Sequence, residues 1–357
     1  MKFTQISPKL KIIYVIIVSF LVILLDNAYA TTALFGLQII LLLLSGIQLR
    51  KLRVFKKIVP FSLAIIFFYS VFVGEKNILL LQIFHFKLMA SSMGFWLSLM
   101  MVARFMTIFL ASVVARSTVS PEGFVQGLVQ LRLPEDFARI LDSVLSFIEG
   151  KKGKGKRGKM PGGKTIIIKS LLKGDYKVLL NLINQSLAEG KETFKDYDLA
   201  VISAFTMIIV SMRFMDILPG FLIAPGYKNV VIIPLFILAA LLTKTPYAAT
   251  YVGFLSGTVN LMTGAGKFGI FGILQFMAPG LFIDLVLPFI RRYNSLFAYA
   301  LVGFCAGLCR ISALLVLSLL FRMPKEFYIT MIPFFIAQCV FGILSAPVTK
   351  LLIKHVR

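Results

Sequence analysis

Acidic residues are scarce in this chain, and unevenly so. Of the 15 Asp and Glu, 10 fall within residues 115–198, and the other 273 residues hold only Asp26, Glu75, Asp216, Asp284 and Glu326. An apolar bundle with so few acids has little to offer carboxylate chemistry or proton relays. Histidine is scarcer still: His85 lies in an apolar segment and His355 in a basic tail, neither beside a Ser or Cys nucleophile. That excludes a Ser-His or Cys-His hydrolase and a histidine-built metal site. Cys305, Cys309 and Cys339 sit inside apolar runs without CxxC or CxxH context, so they read as packing residues.

Apolar residues are abundant. They make up 59% of the chain and the mean hydropathy is +0.91, above the roughly 45–50% of a globular protein. Several runs reach the roughly 20 apolar residues that cross a bilayer. The fold class is therefore all-α, a polytopic helical membrane protein. The net charge of +23 does not point to nucleic acid, because the Lys and Arg collect at the ends of apolar segments. Such placement sets topology.

The N-terminus has the outline of a secretory signal: Lys2, Lys9 and Lys11, an apolar core over 12–25, then Ala28-Tyr29-Ala30. A second apolar run at 34–44 and the basic stretch 49–57 follow at once, which predicts an uncleaved two-helix hairpin. Further apolar runs predict helices over 58–74 and 78–114, the latter broken near His85-Phe86-Lys87. After the polar middle come 199–218, 230–243, 246–262, 268–290, 296–321 and 328–352, about ten transmembrane helices in all. Assigning 1–11, 49–57, 115–198, Lys244, Arg291-Arg292 and 350–357 to one side leaves only five cations opposite: Lys76, Lys228, Lys267, Arg322 and Lys325. That asymmetry predicts a multi-pass plasma-membrane protein with both termini and the middle domain cytoplasmic.

Within the middle, apolar positions at helical spacing run from Phe124 to Ile148. Ser120-Pro121 has the form of an N-cap followed by proline at the first helical position. Pro134 with Glu135-Asp136 opens a second helix with its acids on the positive end of the dipole. The stretch 151–173 then carries nine basic residues and no acid. It reads as a solvated loop or one drawn to anionic lipid. Gly162-Gly163-Lys164-Thr165 is taken as no more than the tail fragment of a phosphate-binding loop.

The segment ARSTVSPEGFVQGLVQLRLPEDFARILDSVLSFI, with SPKLK at 7–11, resembles the transmembrane T component of energy-coupling factor transporters. Thr118, Pro121, Leu128, Leu131 and Pro134 match that family's Thr-x-Pro start and its L-x-x-L-x-x-P turn. Ser146-Phe147-Ile148 departs from its R-F-x-P end, and the resemblance covers about 1–195. It implies three regions: 1–114 T-like transmembrane helices, 115–198 a cytoplasmic coupling domain, and 199–357 an S-component-like six-helix substrate-binding domain. In that family, Ala-Arg-Gly motifs dock into two ATP-binding cassette subunits, which carry the ATP and Mg. The motifs map here to Lys156-Arg157-Gly158 and to Ala188-Glu189-Gly190, the second with Glu in place of Arg. An Ala-x-x-x-Ala packs T against S in the family, and Ala200 and Ala204 occupy that position. The family's last T helix has no separate counterpart if 199–218 opens the S-like half.

Charges inside apolar spans cost roughly 2.5–3.5 kcal/mol each at mid-bilayer. Arg213 and Arg310 each lie 14 residues into their runs, at a similar depth of about 21 Å. Lys228 and Lys267 are placed in the loops above, with Asp216 between, and Asn229 and Asn260 as further polar groups. Two readings stay open: a cationic cavity for a carboxylate- or phosphate-bearing nutrient, or a structural ion pair of Asp216 with Arg213 or Arg310. For the whole chain, a non-catalytic transport subunit stands against a self-contained secondary transporter or membrane enzyme. The first reading implies two ATPase partners, a small-molecule substrate, membrane lipid, and no nucleic acid, metal or cofactor on this chain.

Overall fold

The computed structural model describes residues 6–25, 27–45, 55–75, 77–83, 86–150, 196–213, 226–263, 269–321 and 325–356. Helix dominates, and the chain is an all-α polytopic membrane protein. Among the described residues three helical stretches are long and apolar enough to cross a membrane: Ser92–Ser117, Leu296–Leu320 and Met331–His355. Shorter apolar helices accompany them, such as Ala28–Leu44 and Asn229–Leu242. The chain forms two compact units, the first from 1–132, 261–272 and 316–331, the second from 133–260, 273–315 and 332–357.

In the first unit, α1 (Pro8–Leu24), α2 (Ala28–Leu44) and α3 (Phe55–Phe72) each pack against α4 (Ser92–Ser117). The second half of α4 is buried continuously from Thr107 to Ala115, as expected of a helix enclosed on all sides. Its Phe109, Leu110, Val113 and Val114 meet Leu42 of α2, with Phe35 and Met106 at the margin. Gly94 lets α3 approach: a Cβ there would stand 2.4 Å from the Tyr69 carbonyl oxygen.

The expected helix over 78–114 is corrected. Residues 78–83 and 86–90 form an antiparallel strand pair, β1 (Ile78–Ile83) and β2 (Phe86–Ala90), and only then does α4 begin. Short apolar runs such as Ile78-Leu79-Leu80-Leu81 fit strand and helix equally well. Here the base of the strand pair decides. Asn77 donates its backbone N–H to the Ala90 carbonyl at 3.0 Å and its Nδ2 to Ser92 Oγ at 2.7 Å, while Ser92 N donates to Asn77 Oδ1 at 2.9 Å. Ser91 caps α4 by accepting from Gly94 N at 3.1 Å.

Two short helices follow. Ser120 Oγ accepts from Gly123 N at 3.1 Å and opens α5 (Pro121–Gln130), as the Ser-Pro pair implies. α5 packs on α1, with Gly127 against Pro8 and Ile12. The turn after it passes through Arg132 at φ +70, a left-handed conformation that costs a non-glycine residue about 1–2 kcal/mol. α6 (Glu135–Gly150) opens with both acids in its first turn.

In the second unit, α6 buries Ala138, Ile140, Leu141 and Val144 and packs on α7 (Tyr197–Arg213). α7 is buried at every position from Ala200 to Val210, and it packs on α8 (Asn229–Leu242), which is buried almost as completely. The remaining helices among the described residues are α9 (Ala248–Met262), α10 (Gly272–Leu285), α11 (Leu287–Arg292), α12 (Leu296–Leu320), α13 (Lys325–Ile343) and α14 (Ser345–Val356), of which the parts within 261–272 and 316–331 belong to the first unit, and α14 packs on α8. Gly253 and Gly280 bring α9 and α10 together; a Cβ at Gly253 would lie 2.4 Å from the Phe276 carbonyl oxygen. Close approach through small residues is the way helices gain packing energy in lipid.

Two carboxylates tie the ends of these helices. Asp198 accepts from Lys244 N at 2.9 Å, and from Thr245 N and Oγ1 at 2.7 Å each. Asp284 accepts from Ala249 N at 3.2 Å, and from Thr250 N and Oγ1 at 2.7 Å each. Both satisfy backbone N–H groups that a helix start or a turn leaves orphaned.

Candidate functional site

The second unit holds a polar cluster built around Arg310. This residue lies on α12 and is half-buried. Its Nη1 donates to Oδ1 of Asn229, the first residue of α8, which is fully buried. Asn229 Nδ2 in turn donates to Gln338 Oε1 at 2.5 Å, on α13. The Arg310 guanidinium stands over the Phe276 ring of α10, 5.1 Å from its centroid. Four helices thus each contribute one residue to the cluster.

Each partner has a definite role. The Asn229 amide oxygen accepts one N–H of the guanidinium and, being neutral, orients it without adding a charge. Gln338 occupies Asn229's donor side and thereby fixes which way its oxygen points. The aromatic face holds the guanidinium plane by cation–π attraction and shields one side of it from water. Behind Gln338, Gly226 sits at φ +106 with no room for a side chain: a Cβ would meet Gln338 Cδ at 2.9 Å. A planar cation presented in this way is suited to the oxygens of a carboxylate or phosphate.

The sequence-derived site residues are distributed unevenly. Arg310 is at the centre of the cluster. Lys228 caps α8 beside Asn229, its ammonium 5.7 Å from the Tyr227 ring centroid. Asn260 is on α9 and buried. Arg213 ends α7. Asp216 and Lys267 lie outside the described residues, as do Arg157, Gly158, Ala188, Glu189 and Gly190. Ala200 and Ala204 are fully buried on α7, the helix that packs on α6 and α8. Gln338 and Phe276 were missed by sequence reasoning. Gln338 left a signal, being the single amide in the apolar run 331–343; Phe276, one aromatic among 34 phenylalanines, left none.

The glycine-lysine loop requires one correction from the sequence itself. Gly158–Thr165, GKMPGGKT, has the full G-x-x-x-x-G-K-T spacing rather than only its last fragment. The eight residues before it, GKKGKGKR, carry no apolar strand to support such a loop, and the segment lies outside the described residues.

In the first unit, the two motifs that are far apart in sequence meet. Lys11 of SPKLK, 2% exposed, donates its Nζ to the carbonyl of Thr118 at 2.9 Å. Thr118 is the C-cap of α4, where carbonyls lack helical partners. Pro8 of the same motif lies against Gly127 of α5. The N-terminal motif therefore fixes the point at which the chain leaves α4 and enters the α5–α6 pair. Residues 2–148 match the family model described as cobalt transport protein. No curated protein and no solved structure matches the chain. The transport-family segment thus takes in α1 to α4, the strand pair, α5 and nearly all of α6. A membrane component of a transport system is the function this match supports.

Proposed function

We propose that the chain is the membrane subunit of an energy-coupling factor importer, in which residues 1–195 act as a T component and 199–357 as a substrate-binding S-like half. The observation that carries this reading is the Lys11–Thr118 junction inside the cobalt-transport-type segment, where both resemblance motifs meet and α5 and α6 begin. In this reading the α5–α6 region and the stretch after it dock on two ATP-binding cassette subunits, which bind and hydrolyse ATP with Mg. Arg157 makes the contact that needs a bidentate cation. Ala188-Glu189-Gly190 meets a second groove by shape or through a basic partner residue. Ala200 and Ala204 serve helix packing between the T-like and S-like parts. Both termini are cytoplasmic.

The substrate is a small nutrient with an anionic group, held by the oriented guanidinium of Arg310, with Arg213, Asp216, Lys228, Asn260 and Lys267 around the entry. The alternative, a self-contained secondary transporter or membrane enzyme, needs protonatable groups in the bundle. Of the two acids available to it, Asp284 spends its oxygens on the start of α9.

Purification from native membranes tests the reading. Two ATP-binding cassette subunits should accompany the chain in detergent, and Arg157→Glu should strip them off and abolish uptake. Retention of the ATPases and of uptake by that variant would remove the docking assignment. Glu189→Arg should preserve or strengthen assembly if the second groove is acidic.

A further inference from the structure

Arg104 lies on α4 and is only 5% exposed. Its Nη1 donates to the carbonyl of Phe321 at 3.3 Å and its Nη2 to the carbonyl of Leu25 at 3.1 Å. Leu25 is the C-cap of α1, and Phe321 follows directly on the last residue of α12. Carbonyls at such ends have no intrahelical partner and carry the negative end of the dipole. One guanidinium thus serves two helix ends from distant parts of the chain.

An aromatic nest closes round the second of them. Phe321 is 2% exposed, its ring 5.1 Å from that of Phe105 and 6.2 Å from that of Phe271. Leu25, Arg104 and Phe105 belong to residues 1–132; Phe271 and Phe321 belong to 261–272 and 316–331. All of them lie in the first compact unit, so the N-terminal chain does not build that unit alone. The Phe321 carbonyl is one of the two helix-end acceptors of the fork, and a hydrogen bond to a charged group contributes about 1.5–3 kcal/mol.

We propose that Leu25, Arg104 and Phe105 form an intramolecular docking surface whose occupant is Phe321, directly after α12, with Arg104 as its latch. The C-terminal half is then an obligate part of the transport-family unit. The dock is independent of which substrate or ATPase the chain serves, so the importer reading and this one can fail separately.

A photo-crosslinking amino acid at position 105 of the full-length protein in membranes, p-benzoylphenylalanine, keeps an aromatic in the nest. A protease site introduced within 151–164 lets joined and separate halves be resolved on a denaturing gel. Illumination should join the two halves, with the link mapping to 316–331. Arg104→Met should lower the yield about tenfold, the factor expected for charge-assisted hydrogen bonds, and Arg104→Lys should restore part of it. Phe271→Ala leaves the charge untouched and should also lower the yield, which decides the matter if Arg104→Met does not fold. A link elsewhere, equal yields in parent, Arg104→Met and Phe271→Ala, or a link formed between two copies of the chain would overturn the proposal.

Discussion

Lys11 and Thr118 stand 107 positions apart in sequence, yet the ammonium of one caps the helix that ends at the other. Arg104 returns the favour at the opposite end, capping α1 through the Leu25 carbonyl. Each helix of this antiparallel pair thus supplies the cation for its partner's C-terminus. From Lys11 to Leu25 is 14 residues, and from Arg104 to Thr118 is also 14, so the pins are about 21 Å apart on both helices.

Lys11→Met should destabilise the protein by about 1.5–3 kcal/mol, the range for a hydrogen bond to a charged group. Lys11→Arg should retain most of the stability. Thermal unfolding in detergent reads both, and a melting temperature unchanged by Lys11→Met would show that the pin is idle.

Removing the guanidinium from the polar cluster should cost affinity. Arg310→Gln is expected to weaken binding of the anionic substrate by about 1.5–3 kcal/mol, tenfold or more. Gln338→Leu frees Asn229 to turn and should give a smaller loss in the same direction. Calorimetric titration of the purified complexes measures both. If Arg310 instead pairs with Asp216, Arg310→Gln should leave affinity alone and lower thermal stability, and adding Asp216→Asn should recover much of it.

Asp284 separates the importer from a proton-coupled carrier. As a capping carboxylate its loss in Asp284→Asn should cost about 0.5–2 kcal/mol of stability and leave the pH profile of uptake unchanged. A flattened pH profile with stability intact would favour the carrier.

At Gly253 the test is steric. With the Phe276 carbonyl oxygen 2.4 Å from any added Cβ, Gly253→Ala must push α9 and α10 apart, at about 1–3 kcal/mol for overpacking. Gly36 has open space around it, so Gly36→Ala should be neutral in the same melting experiment.

The features that sequence makes legible are those with a local cause. Membrane character follows from the apolar runs, and the starts of α5 and α6 follow from Ser120-Pro121 and Glu135-Asp136, whose chemistry is confined to a few residues. The strand pair at 78–83 and 86–90 was not legible, because an apolar run of this length has no period that distinguishes strand from helix. Arg310 announced itself as a charge in an apolar helix. Its neighbour Phe276 did not, because its part depends on which helices neighbour α12. Likewise, nothing periodic marks 261–272 and 316–331 as segments that pack with residues 1–132; side-chain fit alone sets that.

The two carboxylate ties have a consequence for how the chain is made. Asp198 precedes its partners Lys244 and Thr245 by 46 and 47 residues, whereas Asp284 follows Thr250 by 34. A ribosome therefore delivers the first clasp before the loop and the second long after it. The α8–α9 turn can be caught on α7 as soon as it emerges, but it is sealed only once α10 has been synthesised. During that interval the start of α9 lacks its cap, which makes it the stretch where stalled or truncated chains should first come under proteolysis.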